Sequence, residues 1–173
     1  FSKRRIMLFE GMDQLLPTMS DRSGKNALKY LRSMGVEVYL ETLINDYDGT
    51  SAYLDNDQSV LAKTVIWSAG IRGNTIDGLD ERCEIKSKYL VNPYNQVRLG
   101  EDSDVFIPNV FAIGDVALMK SKDNPAGHPA LAQVAIQQGK NVANNLNLGT
   151  DAGTKWKKFR YRDKGVLATI GRK

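Results

Sequence analysis

A chain of 173 residues with 24 Lys and Arg against 20 Asp and Glu, net charge +4, is long enough for one ordinary domain or for pieces of two. Its 42% hydrophobic and 25% charged residues match an average globular protein, which excludes disordered, collagen-like and fibrous readings. The single cysteine, Cys83, excludes an internal disulfide framework and a cysteine metal cluster within this chain and points to a reducing compartment. No apolar stretch approaches the roughly 18 residues of a membrane span. The start, Phe1-Ser2-Lys3-Arg4-Arg5, lacks the apolar stretch of a signal peptide and has no initiator Met, so the chain reads as a segment of something longer.

Ile6-Met7-Leu8-Phe9, ending in Glu10-Gly11, has the pattern of a buried parallel strand running into a turn. Ser20-Asp21 offers a helix N-cap with an acidic first turn, and Leu28, Leu31 and Met34 recur at helical spacing up to a stop at Gly35. Val36, Val38 and Leu40 alternate with Glu37, Tyr39 and Glu41, which completes a βαβ unit. Residues 42–63 then hold short apolar pieces, Tyr53-Leu54 and Val60-Leu61, separated by the turn pairs Asp48-Gly49 and Asn56-Asp57, so antiparallel hairpins are expected.

Thr64 to Gly70 reads as another buried strand. Residues 71–104, loosened by Gly73, Asn74, Gly78, Asn92, Pro93 and Gly100, read as a connection carrying short strands, with a domain boundary near residue 72. A third strong strand is expected over Val110–Asp115. A helix is expected from Pro129 to about Leu146, with Leu131, Val134, Ala135, Val142 and Leu146 on its apolar side and Gly149 to Gly153 ending it. The last 19 residues crowd eight cations around Trp156, Phe159 and Tyr161. A solvated strand face explains that pattern, and so does contact with a membrane surface or a phosphate backbone.

Glu10 ends a strand inside a βαβ unit, where dinucleotide-binding folds place a carboxylate that accepts from the ribose hydroxyls and repels a 2′-phosphate. Asp115, behind Gly114, stands where a carboxylate can accept from the hydroxyls of a ribose or ribityl chain. The N-terminus of the Pro129 helix would stabilise negative charge on a bound group. Gln133 and Gln137 are four apart and share one helix face, and uncharged amides orient a carbonyl-bearing substrate. His128, in a Pro/Gly loop without a visible partner, reads as structural, and Cys83 as a bystander.

Three segments, Thr64-Val65-Ile66-Trp67-Ser68-Ala69-Gly70, Asn109-Val110-Phe111-Ala112-Ile113-Gly114-Asp115 and Pro129 through Ala132-Gln133-Val134-Ala135-Ile136-Gln137 to Gly139, occur in an order and spacing that resembles the flavoprotein reductases with two dinucleotide-binding domains. The last segment, together with Phe159–Gly171, is similar to the type II NADH dehydrogenases, single-subunit NADH:quinone oxidoreductases. The resemblance implies an α/β fold made of parts of two doubly wound Rossmann-like dinucleotide-binding domains. Residues 1–71 would be the C-terminal part of an NADH-binding domain with antiparallel hairpins. Residues 72–150 would be the returning C-terminal part of an FAD domain, and 151–173 the start of a membrane-associated region.

On that mapping Glu10 holds the NADH ribose, and Ala69 and Gly70 line the nicotinamide passage. Gly114 and Asp115 bind the ribityl and pyrophosphate region of FAD. The backbone of Ala132, Gln133 and Val134 meets the flavin ring, and Gln133 and Gln137 face a quinone entrance. No side chain is catalytic in its own right, since the flavin does the chemistry, and no metal is implied. The implied parent is a peripheral enzyme on the cytoplasmic face of the inner membrane, or the mitochondrial equivalent, with quinone as partner, no nucleic acid, and a homodimer left open. The Gly-rich phosphate turns of both domains are absent from this chain, so the resemblance implies a C-terminal fragment that is inactive alone. Ferredoxin-type and disulfide-type reductases of the same superfamily, and a non-catalytic nucleotide- or membrane-binding module, stay open as alternatives.

Overall fold

The computed structural model describes residues 4–122, 124–149 and 155–171. The residues expected to end the second helix and the proposed boundary at 150/151 lie outside the described residues or at their edge. Two units are separated by the chain's own contacts, Phe1–Ser68 with Gly165–Lys173, and Ala69–Lys164.

In the first unit β1 (Ile6–Phe9) and β2 (Val36–Tyr39) pair in parallel, Ile6 opposite Val36 and Phe9 opposite Tyr39. Parallel neighbours need a crossover, and α1 (Asp21–Ser33) supplies it. The helix starts where Ser20 Oγ accepts from the Ser23 N–H at 3.3 Å, with Asp21 in the first turn. It stops at Met34, whose N–H bonds back to Tyr30 and Leu31, and Gly35 then turns the chain at φ +81°. α1 buries Gly24 and Ala27. A Cβ on Gly24 would lie 2.6 Å from the Leu15 carbonyl oxygen, so the missing side chain lets the helix settle against that backbone.

The hairpins follow as β3 (Ile44–Tyr47), β4 (Ser51–Leu54) and β5 (Ser59–Leu61), an antiparallel meander. Asp48 builds the first turn by accepting from the N–H groups of Thr50 and Ser51 at 2.8 and 2.7 Å. Those bonds, with one from the Tyr53 hydroxyl, hold its carboxyl below the usual range. Asn56 accepts from the Gln58 N–H in the second turn, and Asp57 takes φ +62°.

Thr64–Gly70 departs from expectation. It joins no ladder, and Ile66 and Trp67 are 86% and 63% exposed. A strand is stable only when neighbours take its N–H and C=O groups, and among the described residues no strand lies beside this run.

The second unit carries β6 (Glu84–Ile85), β7 (Lys88–Leu90), β8 (Gln96–Arg98), β9 (Phe106–Phe111) and β10 (Ala117–Leu118). β7 lies between antiparallel β6 and parallel β10, and β8 pairs antiparallel with β9. The expected strand over Val110–Asp115 is displaced: pairing ends at Phe111, and Gly114–Val116 form a 3-10 turn. Gly114 at φ +71° opens that turn, a backbone conformation that glycine adopts without strain.

The second helix, α2 (Ala132–Leu146), starts three residues after Pro129. Leu131 donates its N–H to the Pro129 carbonyl in a tight turn and remains extended at φ −131°, so helical dihedrals begin only after it. Leu146, expected on the apolar side, is 42% exposed. The buried positions of α2 are Val134, Gln138 and Asn145, two of them amides. The core below is apolar, with Cys83, Tyr89, Val91, Val97, Ala112, Ala117, Met119, Val134 and Phe159 packed together.

Candidate functional site

The Gly114 turn lies against the first half of α2, with which it makes side-by-side contact. The Gly114 N–H donates to Gln138 Oε1 at 2.7 Å, and Gln138 is only 1% exposed. A Cβ built on Gly114 would approach Ala135 Cβ to 3.2 Å. Glycine is therefore required twice, for its dihedral and for the close approach of turn and helix. Asp115, next in the turn, is exposed and presents its carboxylate to solvent.

Ala132, Gln133 and Val134 form the first turn of α2. Its N-cap, Leu131, offers no side-chain acceptor, and no acidic residue lies in that turn. The positive end of the helix is thus left without a side-chain cap, an arrangement that favours an electron-rich group placed there. The structure brings Gly114, Asp115 and the start of α2 together in one unit. Ala69 and Gly70 open the same unit as exposed residues, Gly70 at φ +75° with open space where a Cβ would stand.

Glu10 belongs to the other unit, at the carboxyl end of β1. Its N–H donates to the Tyr39 carbonyl, its carbonyl accepts from Thr42, and its Oε1 accepts from the Met12 N–H at 3.0 Å. The half-buried carboxylate is held in place by the turn that follows it.

Gln133 and Gln137 have partners that sequence reasoning did not foresee. Gln137 accepts from the Arg162 N–H and donates to the Arg162 carbonyl at 3.0 and 2.9 Å, and Gln133 accepts from the Lys164 N–H at 3.2 Å. Further along, Asn145 makes the same two-way contact with the backbone of Lys157 at 2.9 and 3.0 Å, and Asn141 donates to the Lys157 carbonyl. Four amides at 133, 137, 141 and 145 thus tie an extended segment to one helix face. The sequence signal was available, since that spacing repeats every four residues. Gln138, which holds the Gly114 turn, is a second missed residue.

His128 stands edge-on to Phe159 and tilted to Tyr161, with ring centroids 5.3 and 5.6 Å away. Burial pushes its pKa down. Cys83 is fully buried in the core, and burial pushes its thiol up. Among the described residues no group of acidic, His and Cys side chains is placed to hold a metal, and no helix is long and apolar enough to cross a membrane.

Residues 1–139 match the family described as pyridine nucleotide-disulphide oxidoreductase. The chain is 31% identical over 176 residues to a type II NADH:quinone oxidoreductase of Staphylococcus haemolyticus and 30% identical over 174 residues to that of Staphylococcus saprophyticus. In both cases 98% of this chain and 41% of the relative are covered, so the chain spans about two fifths of the length of these relatives. Among solved structures it is similar to NDH2 of Plasmodium falciparum in complex with NADH, with a TM-score of 0.81 at 17% identity over 97% of this chain and 48% of that one. That likeness gives the fold, a Rossmann-like α/β arrangement of the kind found in FAD- and NAD-binding oxidoreductases. With four fifths of its length matched, the chain belongs to the pyridine nucleotide-disulphide oxidoreductase family.

Proposed function

We propose that this chain is the C-terminal part of an FAD-dependent NADH:quinone oxidoreductase of type II, working peripherally at a membrane. The observation that carries the reading is the Gly114-Asp115 turn, locked by buried Gln138 against a helix whose N-terminus has no side-chain cap. These residues fit a flavin dinucleotide: a turn that its glycine lets pack close against α2, an exposed carboxylate for hydroxyls, and helix N–H groups for negative charge. The similarity to the staphylococcal enzymes supports the choice of quinone as acceptor.

FAD, when bound, supplies the two-electron chemistry between NADH and quinone. The residues of this chain bind and orient. Asp115 accepts from ribityl hydroxyls, and Gly114, pinned by Gln138, shapes the turn that presents it. The start of α2 at Ala132, Gln133 and Val134 favours negative charge on the ring it meets. Glu10 accepts from the NADH ribose hydroxyls and disfavours a 2′-phosphate by charge. Ala69 and Gly70 are small enough to leave a passage for the nicotinamide. Gln133 and Gln137 border the quinone entrance, where their amides also fix the backbone of Arg162 and Lys164 that forms its rim. The division proposed for the chain is residues 1–71 in the NADH domain, 72–150 in the FAD domain and 151–173 leading to the membrane-associated region. The reading places the protein on the cytoplasmic face of the inner membrane or its mitochondrial counterpart, without nucleic acid, and admits a homodimer.

A disulfide reductase would need its redox cysteine pair outside this chain, because Cys83 is buried in the core and burial pushes its thiol up. The test is an anaerobic visible spectrum of the full-length protein. Flavin bands that bleach on NADH and return on a soluble quinone are expected. A protein that stays colourless in excess FAD would refute the proposal.

A further inference from the structure

The segment tied down by the amides of α2 has an outer side that the quinone reading does not use. Between Lys155 and Lys164 the sequence carries six cations and one carboxylate, Asp163. Phe159 is 8% exposed and sits in the core, its N–H donating to the Pro93 carbonyl at 2.7 Å. Tyr161 is half-buried beside His128, and its hydroxyl lies 3.4 Å from Asp163 Oδ1. The side chains of an extended chain alternate, so the residues between these inward ones face out. Lys158, Arg160, Arg162 and Lys164 are all exposed, and no ion pair among the described residues involves them.

Alternate residues of an extended chain lie about 6.6 Å apart, the spacing expected along this ridge of four cations. That spacing is shorter than the screening length of about 8 Å at physiological salt, so their potentials reinforce one another. The ridge is held in register from behind, by Gln133 on Lys164 and Gln137 on Arg162. A flexible tail would lose conformational freedom on meeting a surface, whereas this one is already ordered.

We infer that Lys158, Arg160, Arg162 and Lys164 form a docking ridge for the phosphate headgroups of an anionic lipid bilayer. The inference takes its partner from the membrane-surface reading above and names the surface that makes the contact. Charge complementarity selects the partner: repeated cations match a plane of phosphates. The amide ladder then gives α2 two tasks, with one helix face setting both the quinone rim and the side of the molecule that meets the lipid.

The test is co-sedimentation of the 173-residue chain with vesicles of phosphatidylcholine alone or with 30% phosphatidylglycerol, at low salt and at 150 mM. Preference for the anionic vesicles, weakened by salt, is expected. The variant K158Q/R160Q/R162Q/K164Q should lose at least about tenfold in partitioning. The control R22Q/K25Q/K29Q/R32Q removes the same charge from the exposed side of α1 and should keep its binding. Pairwise variants R160Q/R162Q and K158Q/K164Q, each expected to lose part of the binding, keep the test decisive if the fourfold variant misfolds. Equal losses in the ridge and α1 variants, equal binding to neutral vesicles, or stronger ridge-dependent capture on duplex DNA at matched phosphate density would each overturn the inference. The readout needs neither NADH nor quinone. Failure of the oxidoreductase reading in the flavin spectrum is therefore separable from failure here.

Discussion

Gln138 is the side chain on which the Gly114 turn depends, and Gln138→Met isolates its contribution. Methionine nearly matches glutamine in length and volume, so the substitution leaves little cavity and removes chiefly the acceptor at 2.7 Å from the Gly114 nitrogen. An N–H deprived of its partner costs about 1–3 kcal/mol when buried. Gly114 is half-buried, which places the loss in the lower part of that range, about 1–2 kcal/mol. With a urea slope of about 2 kcal/mol/M, the unfolding midpoint should fall by about 0.5–1 M at unchanged slope. The control on the same helix is Lys140→Met at an exposed position, expected to stay within about 0.5 kcal/mol of the parent. In the full-length protein, Gln138→Met should also lower the ratio of flavin to protein absorbance, because the turn that presents Asp115 is no longer pinned. A midpoint within about 0.2 M of the parent would refute the reasoning, since it would mean that solvent or a rotated neighbour serves the Gly114 N–H equally well.

Three further perturbations probe other parts of the chain. Gly73→Ala places a Cβ against the Ser87 carbonyl oxygen, a backbone atom that cannot step aside cheaply, and should cost at least about 1 kcal/mol in urea unfolding; an unshifted midpoint would show that the β6–β7 turn yields. The Arg5 guanidinium and the Tyr39 hydroxyl hold the Glu37 carboxyl down to about 2, so whatever Glu37 contributes is present above its ordinary 4.5 and is lost as pH falls toward 2. NMR titration should move its midpoint back toward 4.5 in Arg5→Gln, and an unmoved midpoint would discount the pair. His128, with its pKa pushed below 6.5 by burial, binds its proton more readily in the unfolded chain, so its contribution is present above that range and is lost as pH falls below it. The drop in thermal midpoint between pH 7 and pH 5 should therefore be smaller in His128→Phe, and an identical drop would remove His128 from the account.

The first unit was legible because its signals are local. Ser20 caps α1, Gly35 ends it, and Asp48 and Asn56 build turns by accepting from N–H groups two or three residues further on. Thr64–Gly70 misled because an apolar run states only that it would be stable when covered, and its neighbours in this chain do not cover it. The start of α2 was misplaced for a similar reason. Proline suits a first helical turn, but Pro129 instead closes a turn with Leu131, and its preference for φ near −65° serves either conformation.

The sequence singles out Gly114 and Asp115 as the end of a strand, but the turn they form shows only in the left-handed Gly114 backbone. Gln138 could not be found from sequence, because burying an amide makes sense only once a distant backbone group is known to need it. The amide ladder lies between these cases. Four residues of α-helix rise about 6.0 Å and two residues of extended chain about 6.6 Å, so a helix with an amide every fourth position is nearly commensurate with every second residue of a strand laid antiparallel to it. Gln133 on Lys164 and Gln137 on Arg162 follow that rule, four positions against two. Beyond Arg162 the rule no longer holds: Asn141 and Asn145 both reach Lys157, five residues further along the segment. The rule leaves the segment's own side chains unspecified as long as they alternate. An inward Phe159 and an outward run of cations can therefore occupy one backbone: the sheet-like period sorts them, and the helix only supplies the spacing.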